Sequence, residues 1–189
     1  PRERLPGPFR VSCVLRLHRE KGAYLIPDIA LAARRRTAVR FSVIGDGPLR
    51  RELSGRISEG DLRDEVILEG WRDDLDEVYR RTDVLLLPSE EESFPQVALD
   101  ALSYGIPVVA TRVGGVPELV EHGSEGLLIE TRTPSAYADA IVKLAEDRDL
   151  YATMSAHARH KAALFTMERM IAEYETLYRT LLSESHAPA

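Results

Sequence analysis

The chain has 189 residues, 44% of them hydrophobic and 30% charged, enough for one sizeable core or at most a domain plus an extension. A single cysteine, Cys13, and no glycine period exclude a disulfide scaffold, collagen and low-complexity disorder, and no apolar run reaches the roughly 18 residues needed to span a bilayer. A net charge of −6 argues against a general nucleic-acid binder, because phosphate neutralisation needs a cationic surplus. The charge is uneven, however. Residues 1–60 hold 13 Lys/Arg against 6 Asp/Glu, whereas residues 61–189 hold 12 against 25, which favours a small anionic ligand near the N-terminal half. The sequence begins at Pro1 and shows no signal peptide, so the expectation is a soluble cytoplasmic domain cut from something longer.

Residues 1–10, with Pro1, Pro6, Gly7 and Pro8, read as a linker. Residues 11–165 read as one domain, in which apolar runs of strand length alternate with helical patterns up to residue 133. Strands are predicted at 11–17, 39–44, 66–69, 84–87, 107–111 and 126–129, and helices near 23–36, 48–59, 74–82, 94–104 and 115–122. The apolar runs are short, mostly continuous in Val, Ile and Leu, and bounded by Gly, Pro or Asp, as strands buried on both faces are. Their alternation with helices predicts an α/β fold, a Rossmann-like doubly wound parallel sheet of about six strands flanked by helices. Beyond residue 133 the pattern is purely helical. Within residues 166–189, Met167, Met170, Ile171, Tyr174, Leu177, Tyr178 and Leu181 keep helical spacing. They predict an amphipathic helix capped by Thr166 that lays one apolar stripe on something, followed by a frayed tail over 183–189.

In an open α/β sheet, ligands bind outside the carboxyl ends of the strands, so the loops after the strands carry the functional reading. The first, Arg16-Leu17-His18-Arg19-Glu20-Lys21-Gly22, lacks the G-x-G-x-x-G fingerprint and any Walker lysine. It places two cations, Arg16 and Lys21, before a helix N-terminus that favours an anion; a plain solvated loop explains the same residues. The second, Ile44-Gly45-Asp46-Gly47-Pro48, brings bare backbone at Gly45 and Gly47 to a helix start, which a tight turn also explains. The fourth is the most informative. It runs Pro88-Ser89-Glu90-Glu91-Glu92-Ser93-Phe94-Pro95, with Val97 and Asp100 in the helix that follows. Three consecutive carboxylates suit the helix dipole but repel one another, and at a ligand-facing strand end they are acceptors for a hydroxyl-rich ligand. The fifth loop, Gly114-Gly115-Val116-Pro117-Glu118, again opens a helix with glycine.

Taken together and in order, these segments resemble the C-terminal, donor-binding domain of group 1 (family 4) glycosyltransferases of GT-B fold. The matching stretches are Arg16 to Gly22, Ile44 to Pro48, Glu92-Ser93-Phe94-Pro95 through Asp100, Tyr104 to Ala110, Gly114 to Glu118 and Gly123 to Leu128. The resemblance implies that Arg16 and Lys21 clamp the diphosphate of a nucleotide-sugar donor, and that Glu92 accepts from a donor-sugar hydroxyl. Backbone N–H groups over Ser93, Phe94 and Pro95 would lie near sugar and phosphate, with Gly45 and Gly47 also at the donor. Asp100 would hold the ribose, Val97 would lie near ribose and base, and Trp71 and Arg72 would read the base edge. Catalysis would fall to Arg16, Lys21 and Glu92, with retention at the anomeric carbon and no metal or other cofactor. The acceptor half, an N-terminal GT-B domain outside this chain, would be the partner and the route to any peripheral membrane contact. Three positions depart from the family pattern: Asp100 is one methylene shorter than the usual glutamate, and Leu15 and Ser93 stand where glycine is common.

Two other readings share the fold: an epimerase or phosphorylase, or a non-catalytic docking module whose donor site has decayed. Pyridoxal phosphate would need a dedicated lysine, and the chain has only Lys21, Lys143 and Lys161. Asp74-Leu75-Asp76 spells the D-x-D of metal-dependent glycosyltransferases but opens a predicted helix, where acids are favoured anyway. The five histidines show no zinc spacing, Arg34 to Arg36 read as a solvated helix end that complements the dipole, and Cys13 reads as a small buried hydrophobe.

Overall fold

A computed structural model describes residue 4 and residues 6–185, with side chains through residue 182. The elements in chain order are β1 (Phe9–Val14), a 3-10 turn (Ala23–Leu25), α1 (Ile26–Arg34), β2 (Val39–Ile44), α2 (Arg50–Glu59) and β3 (Val66–Gly70). They continue with α3 (Leu75–Arg80), β4 (Val84–Leu87), α4 (Gln96–Ser103), β5 (Val108–Thr111), α5 (Val116–Leu119) and β6 (Gly126–Ile129). Three helices close the chain: α6 (Pro134–Glu146), α7 (Arg148–Ala162) and α8 (Met167–Ser185). All six strands pair in parallel, in the order β3-β2-β1-β4-β5-β6. This is the doubly wound order, and the winding direction reverses between β1 and β4.

Continuous apolar strands are explained by what lies on the two faces. Val11 and Cys13 of β1, Val84 and Leu86 of β4, Val109 of β5 and Leu127 and Ile129 of β6 pack on one side with α1, α2 and α6. Leu85 and Leu87, Val108 and Ala110, and Leu128 point the other way, against α3, α4 and α5. Alternate residues thus enter opposite cores, so every position of β4 is apolar, as is β5 up to Ala110. α7 contributes Tyr151 and Met154 to the first core and Ala158 to the second.

The strands at 39–44, 84–87 and 126–129 form where predicted, and β1 does not. It starts at Phe9, inside the segment read as a linker, because Phe9 is fully buried edge-on against Tyr151 and its amide donates to the Ala38 carbonyl at 2.8 Å. It stops at Val14 rather than 17. Leu15 and Leu17 still donate to the Ile44 and Asp46 carbonyls at 3.0 and 2.9 Å, but beside a loop instead of a strand. Residues 1–3 and 5 of the expected linker and residues 186–189 of the expected tail lie outside the described residues.

α8 forms with Thr166 as its cap, the Arg169 amide donating to the hydroxyl at 3.2 Å. Among the described residues its apolar stripe is only partly covered: Met167, Met170, Ile171, Tyr174, Leu177, Tyr178 and Leu181 are 45–63% exposed. No helix among the described residues is long and apolar enough to cross a membrane. The arginines at the end of α1 are less free than a solvated face. Arg34 donates to the Gly60 and Asp61 carbonyls and Arg36 pairs with Asp139 of α6, so they tie α1 to its neighbours.

Candidate functional site

At the reversal point, the connections after β1 (residues 15–25), β4 (88–95) and β5 (112–115) meet above the carboxyl ends of their strands. Their close approach depends on residues without a Cβ. A Cβ on Gly22 would lie 2.0 Å from the Pro88 carbonyl oxygen, and one on Gly114 only 1.6 Å from that of Glu92. The Gly115 amide donates to the same Glu92 carbonyl at 3.0 Å, and the Glu90 amide to the Glu20 carbonyl at 2.7 Å. Three loops are thereby fixed around a cleft of about 710 Å³ lined by Glu20, Lys21, Glu90 to Glu92, Ser93 and Gly114.

Inside the cleft, Lys21 Nζ donates to Glu92 Oε1 at 2.9 Å and Ser89 Oγ donates to the same oxygen at 2.7 Å. The lysine and glutamate side chains are 22% and 11% exposed, so this pair is largely shielded from water. Arg16 lies further out. Its guanidinium bonds Glu20 at 2.6 Å with 69% of the side chain exposed. An ion pair that open contributes about 0–1 kcal/mol, so Arg16 exchanges its partner at little cost. Glu90 is held below the ordinary carboxylate range by its bond from Arg132, with the Tyr24 hydroxyl as a second donor.

Beyond Glu92 the chain enters α4. Ala98, Ala101 and Leu102 form its buried face, and Gly105 closes it in a Schellman turn, Gly105 donating to Leu102 and Ile106 to Ala101. Pro95, the N-cap, is buried and carries no N–H, so it supplies none of the donors expected over 93–95. Among the described residues the Ser93 and Phe94 amides donate to no protein group. Phe94 itself turns out of the cleft, its ring 5.9 Å from that of Phe165, into a groove beside α8.

The remaining predicted residues are placed unevenly. Val97 and Asp100 sit on α4, partly buried. The Asp100 carboxylate accepts from Gln96 at 3.4 Å, and its charge bears on the Tyr79 phenol of α3. Burial first, and the Asp100 charge second, push the Tyr79 phenol well up. Gly45 and Gly47 lie against the first loop: a Cβ there would stand 2.0 and 2.7 Å from the Leu15 and Leu17 carbonyl oxygens, so packing alone accounts for both. Trp71 and Arg72 follow β3, two strands from β1, and do not line the cleft. Trp71 is 73% exposed and bonds Asp73, while Arg72 is held between Glu69 and Glu77. Burial would raise the Glu69 carboxyl, but hydrogen bonds from Arg81, Ser42 and Arg72 outweigh it and hold it low.

Asp74 caps α3 by accepting from the Glu77 amide at 3.2 Å, and Asp76 is taken by Arg80 and Tyr104. Both aspartates of the D-x-D thus have structural partners. Cys13 is buried in β1, where desolvation pushes its thiol far up. Ser89, Tyr79 and Arg132 escaped the sequence reading. Ser89 carried a signal, its place directly after a buried strand end; Tyr79 carried none, since a tyrosine at helical spacing reads as core.

Comparison with known proteins now bears on this geometry. The family model described as Glycosyl transferases group 1 matches residues 8–147. Over 146 residues the chain is 34% identical to N-acetyl-alpha-D-glucosaminyl L-malate synthase of Bacillus anthracis, covering 77% of this chain and 38% of that protein. Over 109 residues it is 43% identical to D-inositol 3-phosphate glycosyltransferase of Corynebacterium jeikeium, covering 58% of this chain and 26% of that one. The crystal structure of Anabaena Alr3699/HepE in complex with UDP and glucose superposes with a TM-score of 0.82 at 28% identity, covering 89% of this chain and 48% of that one. The chain therefore spans less than half the length of each of these proteins. With most of its described sheet inside the matched segment, the chain belongs to the group 1 glycosyltransferase family.

Proposed function

We propose that the chain is the nucleotide-diphosphate-sugar-binding half of a retaining GT-B glycosyltransferase, whose other half supplies the acceptor contacts and any membrane contact. The observation that carries this reading is the shielded Lys21–Glu92 pair, 2.9 Å apart in a cleft at the reversal point of the sheet. In the reaction, the bond from the anomeric carbon to the diphosphate breaks, a bond to an acceptor hydroxyl oxygen forms, and the hydroxyl proton is lost. Negative charge develops on the leaving diphosphate. Lys21, Arg16 and the Ser93 and Phe94 amides are cationic or N–H groups available to receive it, and fixed donors of this kind act without reorganisation. Loss of one such donor typically costs about 10²–10³ in rate. Glu92, already an acceptor for Lys21 and Ser89, has lone pairs left for a sugar hydroxyl. Arg16 and Lys21 fill the charge-neutralising role, so the scheme needs no metal. The Anabaena neighbour's complex with UDP and glucose supports a nucleotide-sugar ligand class, and such donors are made in the cytoplasm, the compartment we assign.

The test is thermal unfolding of the chain with UDP, GDP, ADP and NAD in EDTA. A nucleotide at 100 times its Kd adds about 2.7 kcal/mol of stability. One diphosphate should stabilise the wild type despite EDTA and fail to stabilise Arg16→Ala or Lys21→Ala. Stabilisation by NAD alone, or only when a divalent metal is present, would contradict the reading.

A further inference from the structure

Arg132 lies in the connection between β6 and α6, 44 residues along the chain from the loop that it grips. Its Nη2 donates to the Pro88 carbonyl at 3.1 Å and its Nη1 to the Glu90 carboxylate at 3.0 Å. With 24% of its side chain exposed, against 69% for Arg16, it is a part of the packed structure more than of the surface. Both anchor points are themselves shared with the first loop. The Pro88 carbonyl lies against Gly22, the Glu90 amide donates to Glu20, and the Glu90 carboxylate also accepts from the Tyr24 hydroxyl at 3.2 Å. The residue between the two anchors is Ser89, whose hydroxyl is one of the two donors onto Glu92 Oε1. A guanidinium fork reaches a carbonyl and a carboxylate at once; an ammonium on a lysine stem is a point donor that does not hold both in one plane.

From this arrangement we infer that Arg132 is a positioning residue of the cleft: by gripping the chain on either side of Ser89 it sets the Ser89 hydroxyl, and through it the Glu92 carboxylate, in register with Lys21. The inference rests on the donor-site reading for its effect on ligand, but its effect on the loop stands apart from that reading. It does not touch the ligand in this scheme; it acts through Ser89 and Glu92.

The experiment combines two readouts on the same chain. Titration calorimetry with UDP, GDP and ADP measures affinity, and hydrogen–deuterium exchange measures protection of residues 88–93. Arg132→Ala should weaken binding of the preferred diphosphate about tenfold, the order expected for losing a hydrogen bond to a charged group, and speed exchange over 88–93. Arg132→Lys should recover only part of either. In a Ser89→Ala background, Arg132→Ala should add little further loss, because residues that act in series are not additive. Arg36→Ala, which removes an exposed arginine paired with Asp139, should change neither readout. Unchanged affinity in both Arg132 variants, or losses from Arg132→Ala and Ser89→Ala that simply add, would overturn the inference. Should the wild type bind none of the three diphosphates, the donor-site reading fails, and unchanged exchange in Arg132→Ala would then overturn the positioning role separately.

Discussion

Arg16 and Lys21 each hold a carboxylate, at 2.6 and 2.9 Å, yet the two pairs differ in what it takes to open them. The Arg16–Glu20 pair is exposed, as is the His18 ring 3.5 Å from the same carboxylate, so water screens it and a phosphate competes for the guanidinium easily. Lys21 and Glu92 are shielded, and Glu92 takes a second donor from Ser89, so this pair is a fixed piece of the cleft wall. Asp100 has a similar division of labour. Its carboxylate already accepts from Gln96 and its charge bears on the Tyr79 phenol, and a side chain one methylene shorter than glutamate reaches less far toward a ribose. Among single residues, Gly114 has the least latitude. Its φ is +48°, and a Cβ would lie 1.6 Å from the Glu92 carbonyl oxygen, a backbone atom that cannot swing aside. Gly114→Ala should therefore destabilise the chain by about 2 kcal/mol or more in denaturant unfolding and displace Glu92. A stability unchanged within 0.5 kcal/mol, the range of ordinary surface substitutions at about that size, would show that the loops are not locked as described.

Among the elements, α3 separates a structural from a metal role for its two aspartates. Asp74 accepts from the Glu77 amide and Asp76 is engaged by Arg80 and Tyr104, all of which a helix start explains. Asp74→Ala should cost about 1 kcal/mol, the usual value of an N-cap, and leave diphosphate affinity unaltered both in EDTA and with a divalent metal present. Lost affinity with normal stability would restore the D-x-D to the functional site. The strands show how far local pattern carries. β4 and β6 were legible residue for residue, because burial on both faces leaves no polar position to blur the run, and β2 was legible because its polar Arg40 and Ser42 alternate with buried apolar residues and Gly45 stops it. β1 was not. Leu17 stays buried and Leu15 partly buried against the next loop, so apolarity outlasts the strand, and Phe9 sits behind Pro6-Gly7-Pro8, which has the composition of a linker. The cleft divides in the same way. Lys21, Glu92 and the paired glycines sit at strand ends in recognisable local order. Arg132 and Tyr79 reach their partners across 44 and 21 residues of chain, and nothing local marks such contacts.

For the whole molecule, the doubly wound order gathers the first, fourth and fifth loops at one place and leaves the loop after β3 two strands away. Hence Lys21, Glu92 and Gly114 share a cleft that Trp71 and Arg72 do not line. The two cores on either side of the sheet make that placement rigid, with α7 joined to both. The chain matches less than half the length of its relatives, and on the proposed reading binding resides here while transfer requires the rest. Where the ligand sits is thus the central claim, and backbone-amide chemical-shift mapping with UDP, GDP and ADP in EDTA tests it most directly. The account predicts perturbations concentrated at Lys21, Gly22, Glu92, Ser93, Phe94 and Gly114 for at least one of the three. Shifts confined to the groove beside α8 or to the Trp71–Arg72 turn, with the cleft silent, would contradict it.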